Sequence, residues 1–415
     1  MRDVLRMASR NLSRYRRRTL LTLLLIVIGT VSVVLFVAVT GSFKAMMVGQ
    51  ITDSVLGHLE VHRKGYVASI DNLPLNLNLR PNVVAKVEEA LQGTDAVETY
   101  SPRVKLGAMF SNFTETTSIR VNGVDPAREA ATVPLLPGRM LEGSKEGPLV
   151  NKGEILIPVL LARGMRTKVG DTVVLVATNR DGSVNGKTFV VRGILESISG
   201  PGGRDGYVHI DDARNLLRMQ EPEVSEIAIR LRSPARLDQV SARLKDALEP
   251  VITKEGKPML EVHTWADLSP FANLARMIDL MTLFIKVLLV SIVLVSVMNV
   301  MIMAVYERIR EIGTLAAMGT LPGRILSLFL TEGLLLGIIG TAVSTVIAIA
   351  TIYALNVRPI TFSFGMQQNL LLTPAIAASE VAAIAGMVIA VAVVASLQPA
   401  WKASRLDPIG ALRHV

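Results

Sequence analysis

Three stretches of this chain carry side chains whose types and spacing could do chemistry. The first, His58-Leu59-Glu60-Val61-His62, holds two imidazoles and a carboxylate. A zinc-binding helix of the His-Glu-x-x-His kind needs Glu directly after the first His, with both His on one helical face. Here Glu60 stands one place late. The alternation instead predicts a strand with Leu59 and Val61 inside and His58, Glu60 and His62 on a solvated face. His209, His263 and His414 are scattered and define no ligand set, and no Ser/His/Asp grouping follows from the spacing. Neither a metal site nor a catalytic residue is expected.

The second, Gly182-Ser183-Val184-Asn185-Gly186-Lys187-Thr188, resembles a phosphate-binding loop. That loop needs four residues between its glycines, a strand before and a helix after. Three residues lie between the glycines here, and the strand-like Thr188-Phe189-Val190-Val191 follows. Asp181-Gly182 and Asn185-Gly186 are turn pairs, so a glycine-rich hairpin is the expectation. With no other such loop, the chain should not hydrolyse nucleotide.

The third runs from Tyr306 to Gly319, with Glu307, Arg308, Arg310 and Glu311 around Ile309, Ile312 and Ala316. The spacing predicts an amphipathic helix that Gly319 can stop and after which Thr320 can cap a new helix near Pro322. A helix with both charge signs and an apolar stripe can lie at a membrane interface or dock into a partner's groove.

The elements that must position this helix are apolar runs at residues 20–40, 280–305, 325–355 and 376–397. Each can cross about 30 Å of hydrocarbon, which takes about 20 helical residues. The first is too long for a signal-peptide core and reads as a retained span. Arg2, Arg6, Arg10, Arg14, Arg16, Arg17 and Arg18 precede it, opposed by Asp3. This arm, 1–19, the segment 306–324 and the tail 398–415 are basic, whereas the loop 356–375 carries only Arg358. The Lys/Arg bias of short flanks therefore puts both termini in the cytoplasm and residues 41–279 outside. The basic arm beside an apolar run argues for membrane lipid rather than nucleic acid. The chain has no cysteine, which suits a bacterial envelope domain without disulfides.

The expected fold class is an α-helical membrane protein with four transmembrane helices plus a large α+β extracytoplasmic domain on a helical stalk. Strands are expected at 58–62, 118–124, 172–178, 188–194, 226–231 and 259–263, and helices at 81–91, 211–219 and 234–248, the second capped by Asp211 or Asp212. Residues 114–205 should form a strand-rich subdomain inserted in the rest. The stalk would be two helices, 41–55 and 265–281. Within the runs, Gly333, Gly337 and Gly340 stand at the spacing that lets helices approach closely, and Gly29 and Gly386 can act likewise. Lys286, Glu332 and Glu380 lie in or near the runs; Lys286 and Glu380 can pair at similar depth, or each can snorkel.

Residues 307–340 resemble the signature of MacB/FtsX-type ABC transporter permeases. The C-terminal stretch resembles that family's closing segment at Pro399, Ala400, Ala403, Ser404, Asp407, Pro408, Ala411, Leu412 and Arg413, and residues 153–175 resemble part of its outer domain. The resemblance implies two permeases, identical or paralogous, over a dimer of ABC ATPase subunits that bind ATP and Mg. This chain itself would need no cofactor and would not be an enzyme. ATP-driven closure of the motor would pass through the spans to the outer domain and move a hydrophobic or amphipathic envelope substrate outside the inner membrane. Glu307, Arg308, Arg310, Glu311, Gly313 and Leu315 are then the expected contacts to the ATPase. A periplasmic adaptor or substrate carrier would be a further partner. The alternatives are a lipoprotein-releasing permease of LolC/LolE type and an FtsX-like regulator of a cell-wall hydrolase.

Overall fold

The computed structural model describes residues 2–198, 204–358, 360–364 and 367–407. Pro408, Ala411, Leu412, Arg413 and His414 lie outside the described residues. The chain divides into two compact units. One comprises residues 1–45, 276–361 and 371–415, the other residues 46–275 and 362–370.

The first unit opens with α1 (Arg2–Arg14) and α2 (Arg16–Ile51). At 1.5 Å per residue, the 36 residues of α2 extend about 54 Å, well beyond the thickness of a hydrocarbon core. The helix passes through Gly41 and ends in a single π turn, Thr52–Leu56. Gly57 follows at φ +74°, where a Cβ would press on the Ile229 carbonyl oxygen at 2.9 Å.

The second unit is a mixed sheet with helices packed on it. In chain order it contains β1 (Leu59–Arg63), α3 (Pro81–Gln92), β2 (Val97–Ser111), β3 (Thr116–Val124), α4 (Pro126–Thr132), β4 (Met140–Gly143), β5 (Glu154–Pro158) and α5 (Val159–Gly164). These are followed by β6 (Thr172–Thr178), β7 (Val184–Leu195), β8 (Gly206–His209), α6 (Ile210–Leu216), β9 (Glu226–Leu231), α7 (Leu237–Leu248), β10 (Leu260–Thr264) and α8 (Trp265–Leu268). The sheet runs β10-β1-β9-β2-β3-β8-β5-β7-β4, with β6 bonded to β2 and β7. Strand β2 is the long member. Its first half pairs with β9 and its second half with β3 and β6, so one strand serves both ends of the sheet. Helices α3 and α7 each bury an i, i+4, i+8 stripe, Val83-Val87-Leu91 and Val240-Leu244-Leu248, the pattern of a helix lying on a sheet.

Four local expectations are corrected here. The cap of α6 is His209, whose Nδ1 accepts from the Asp211 amide at 3.2 Å, because the helix begins one residue early at Ile210. The expected helix at 265–281 is broken at Ser269-Pro270, since proline cannot donate within a helix. Thr320 does not cap: Leu321 holds the extended position before Pro322, and no side chain bonds the first turn. Most telling, β1 is not half solvated. It lies between β10 and β9, and His58, Glu60 and His62 are all buried.

The remaining elements are α9 (Phe271–Glu307), α10 (Ile309–Ala317), α11 (Pro322–Val357), β11 (Ile360–Phe364), β12 (Gln367–Leu372) and α12 (Ala378–Ser404), of which residues 362–370 of the β11–β12 pair count with the second unit. α9 itself begins in the second unit and crosses into the first at Arg276. Helices α2, α9, α11 and α12 are each long and apolar enough to cross a membrane. Gly319, at φ +85°, turns the chain after α10. A buried seam of Ile26, Val33, Val297, Met301, Phe329, Leu336, Val388 and Ala395 joins the long helices.

Candidate functional site

Helix α10 sits between two apolar helices on a one-residue joint, Arg308, which has φ −113° and ψ 17°. Of the residues expected to meet a partner, Glu307, Arg310 and Glu311 are exposed, Leu315 is half-buried, and Arg308 and Gly313 are buried. Ile312 is also buried, so the helix presents its charged side outward and its apolar side to the unit's core.

Arg308 turns inward. Its Nη1 donates to Glu332 Oε1 at 3.0 Å and its Nε to Glu311 Oε2 at 3.1 Å. Asn11 Nδ2, from α1, donates to the same Glu332 oxygen at 2.7 Å. Glu311 also meets Arg14 Nη1 and the Tyr15 hydroxyl, each at 3.5 Å, and Arg18 pairs with Glu307 at 3.5 Å. The faces of Phe329 and Tyr15 flank the guanidinium at 5.5 and 6.0 Å. The sequence alone pointed to the α10 charges but not to Asn11, Arg14 or Tyr15. The available signal was Glu332 itself, because a carboxylate in an apolar helix demands donors from somewhere.

The small residues of α11 are in use. Gly333 and Gly337 face α12 at Ser396 and Ala392, and Gly340 faces Ile26 of α2. Gly29 faces Val293 of α9, while Gly386 faces open space. Lys286 is half-buried, Glu380 is exposed, and no ion pair joins them among the described residues. The cross-helix pair found instead is Lys44–Asp279, at 2.6 Å between α2 and α9.

A second charged site lies inside the sheet. Register places His62 opposite Glu226. Arg103 reaches Glu129 at 2.8 Å, Glu226 at 3.2 Å and Glu60 at 3.5 Å, and Lys105 reaches Glu226 at 2.8 Å. Burial, together with the neighbouring Glu226, pushes the Glu60 carboxyl up to about 7. Burial opposes ionisation of Glu226 too, but Lys105, His62 and Arg103 outweigh it and hold that carboxyl below its ordinary range. Glu60, His62 and Glu226 are close enough to ligate one ion. Lys105 and Arg103 already supply the positive charge an ion would bring, so the donor set is closed by the protein's own cations. The strand reading of 58–62 missed this because Arg103, Lys105 and Glu129 come from elements far away in sequence.

Of the glycine-rich stretch, Gly182 and Ser183 lie in the tip of the β6–β7 hairpin and the rest runs in β7; at the tip the Asn179 amide donates to the Ser183 carbonyl at 2.9 Å and Gly182 takes φ +82°. Lys187 pairs with the buried Asp212 rather than facing a loop of free amides.

Comparison with known families places a MacB-like periplasmic core domain over residues 19–247 and an FtsX-like permease C-terminal domain over residues 283–408. The chain is 23% identical to the lipoprotein-releasing system transmembrane protein LolC of Neisseria meningitidis serogroup B, over 95% of this chain and 94% of that protein. It is 27% identical to the pyoverdine export ATP-binding/permease protein PvdT of Pseudomonas syringae pv. tomato, over 99% of this chain and 59% of that protein. The periplasmic region of MacB from Actinobacillus actinomycetemcomitans matches at TM-score 0.34 and 10% identity, covering 53% of this chain and 92% of that one.

Proposed function

The chain belongs to the family of ABC-transporter permeases with a MacB-like periplasmic core and an FtsX-like C-terminal domain, and from that premise we propose how it works. Helices α2, α9, α11 and α12 cross a bacterial inner membrane. Both termini lie in the cytoplasm, as the basic flanks favour, and residues 46–275 lie outside. A separate ABC ATPase binds ATP and Mg and docks on the exposed charged side of α10. Closure of the ATPase dimer displaces α10, and the displacement passes along the spans to the outer unit, for which α2 and α9 are the stalk. The load is a hydrophobic or amphipathic envelope molecule moved on the outer side, and a second permease copy or paralogue completes the assembly.

The observation that carries this reading is the form of α10. It is a short helix with Arg310 and Glu311 exposed on it and Glu307 exposed just before it, fixed directly between two apolar helices long enough to span. The test is reconstitution with the cognate ATPase subunit in nanodiscs. Binding of the ATPase and permease-dependent ATP hydrolysis are expected. An ATPase that neither binds nor responds would end the proposal.

A second reading, lipoprotein release, draws support from the near end-to-end match with the LolC protein. Release of an acylated lipoprotein from proteoliposomes by the assembled complex, but not export of a soluble amphipath, would favour it.

A further inference from the structure

We infer that Arg308 and Glu332 are positioning residues: a joint that fixes the start of α10 to α11 and α1, rather than groups that touch the ATPase. This deepens the coupling reading and rests on it for its functional meaning. Arg308 is 6% exposed and Glu332 1%. Neither can reach a docked protein without leaving its present partners. Glu332 and Phe329 stand three residues apart on one face of α11, so the carboxylate and the ring meet the same guanidinium. A planar fork can bond two carboxylates in fixed directions, whereas an ammonium acts as a point charge. Arg308 uses that property, joining Glu332 of α11 and Glu311 of α10 with two separate nitrogens.

Asn11 adds a third arm. It shares the Glu332 oxygen with Arg308, so the N-terminal helix and α10 are held by one buried carboxylate. Arg14 and Tyr15 reach Glu311 from the same side. A push on α10 at Arg308 therefore loads α11 at Glu332 and α1 at Asn11 together. Glu307, Arg310 and Glu311 are exposed, unlike Arg308 and Glu332.

The absence of native cysteine makes Ser9→Cys in α1 and Ala317→Cys in α10 unique spin-label sites. The distance distribution between them is measured in the full-length permease in nanodiscs by pulsed electron resonance. It is expected to be narrow in the parent and at least twice as wide in Glu332→Gln and in Arg308→Lys, with the thermal unfolding midpoint of the outer unit unchanged. Arg308→Lys keeps the positive charge beside Glu332. If the role were only to neutralise that carboxylate, the lysine variant would keep the parent's narrow distribution and the joint would be refuted. A second arm adds the cognate ATPase with ATP, Mg and vanadate. The nucleotide-dependent shift in distance is expected in the parent and lost in both variants; its survival in both would also overturn the inference. If the parent bound no ATPase, the coupling reading would fail, while the label widths would still decide the joint.

Discussion

Gly333 of α11 stands so close to Ser396 of α12 that no side chain fits between them. Ser396 is not free to swing aside, because its hydroxyl donates to the Ala392 carbonyl at 2.8 Å. The same helix repeats the device at Gly337, where a Cβ would meet Ala392 Cβ at 3.0 Å, and at Gly340, where it would meet Ile26 Cγ2 at 2.6 Å. The spacing of these glycines therefore sets contacts inside one chain, on two different neighbours.

Gly333→Val is expected to destabilise the helical unit by about 1–3 kcal/mol, the range for overpacking a filled contact. Gly386→Ala, facing open space, is expected to be neutral or to gain up to about 1 kcal/mol from helix propensity. Thermal unfolding of the two variants in detergent, followed by helical dichroism, separates them. Equal losses in both would contradict the contact assignment.

The ion cluster predicts a pH dependence of the outer unit. Glu60 is faced by His62 from its own strand, by Glu226 from β9 and by Arg103 from β2. Lys105 on β2, Glu129 on α4 and His263 on β10 complete the surroundings. Glu226 has the shorter cation contacts, so the proton goes to Glu60, whose pKa rises from 4.5 to about 7. Between those values the folded state binds more protons than the unfolded chain, so this contribution to stability falls as pH rises. Glu60→Gln should flatten that slope, as read from urea midpoints across the same interval. An unchanged slope would remove Glu60 as its source.

Arg310→Glu reverses an exposed charge at the expected ATPase contact and leaves the bonds of Glu311 to Arg308, Arg14 and Tyr15 in place. Affinity for the ATPase subunit should fall about tenfold, the order of a lost charge contact at an interface. The outer unit should retain its protease resistance. Undiminished binding would place the docking surface elsewhere.

Lys187→Met is expected to lower the stability of the outer unit by about 2 kcal/mol, since Asp212 loses a charge-assisted bond. ATP hydrolysis by the assembled complex should be unchanged. A loss of hydrolysis with stability intact would revive the phosphate-loop resemblance.

Periodicity made much of this fold legible. Strands β6 and β9 stand where alternation put them, and α3 and α7 follow their apolar stripes. Strand β2 was missed because its first half, up to Pro102, shows no alternation; from Val104 to Phe110 buried and open positions do alternate, but Gly107 and Ala108 give that stretch little apolar contrast in sequence. Alternation also misjudged β1. A polar face reads as solvated unless its partners are known, and the partners of Glu60 and His62 lie on β2 and β9. Likewise the charges of α10 were visible as a group. That Arg308 differs from Arg310 depends on where Glu332 and Asn11 arrive in space.

The buried cluster around Arg103 has a consequence for biogenesis. It ties β1, β2, β9 and α4 with charge where many exported domains use covalent sulfur bridges. With no thiol in the chain, maturation owes nothing to an oxidant or a disulfide isomerase. Cells grown anaerobically, or lysates kept in dithiothreitol, should yield the same fold as aerated ones.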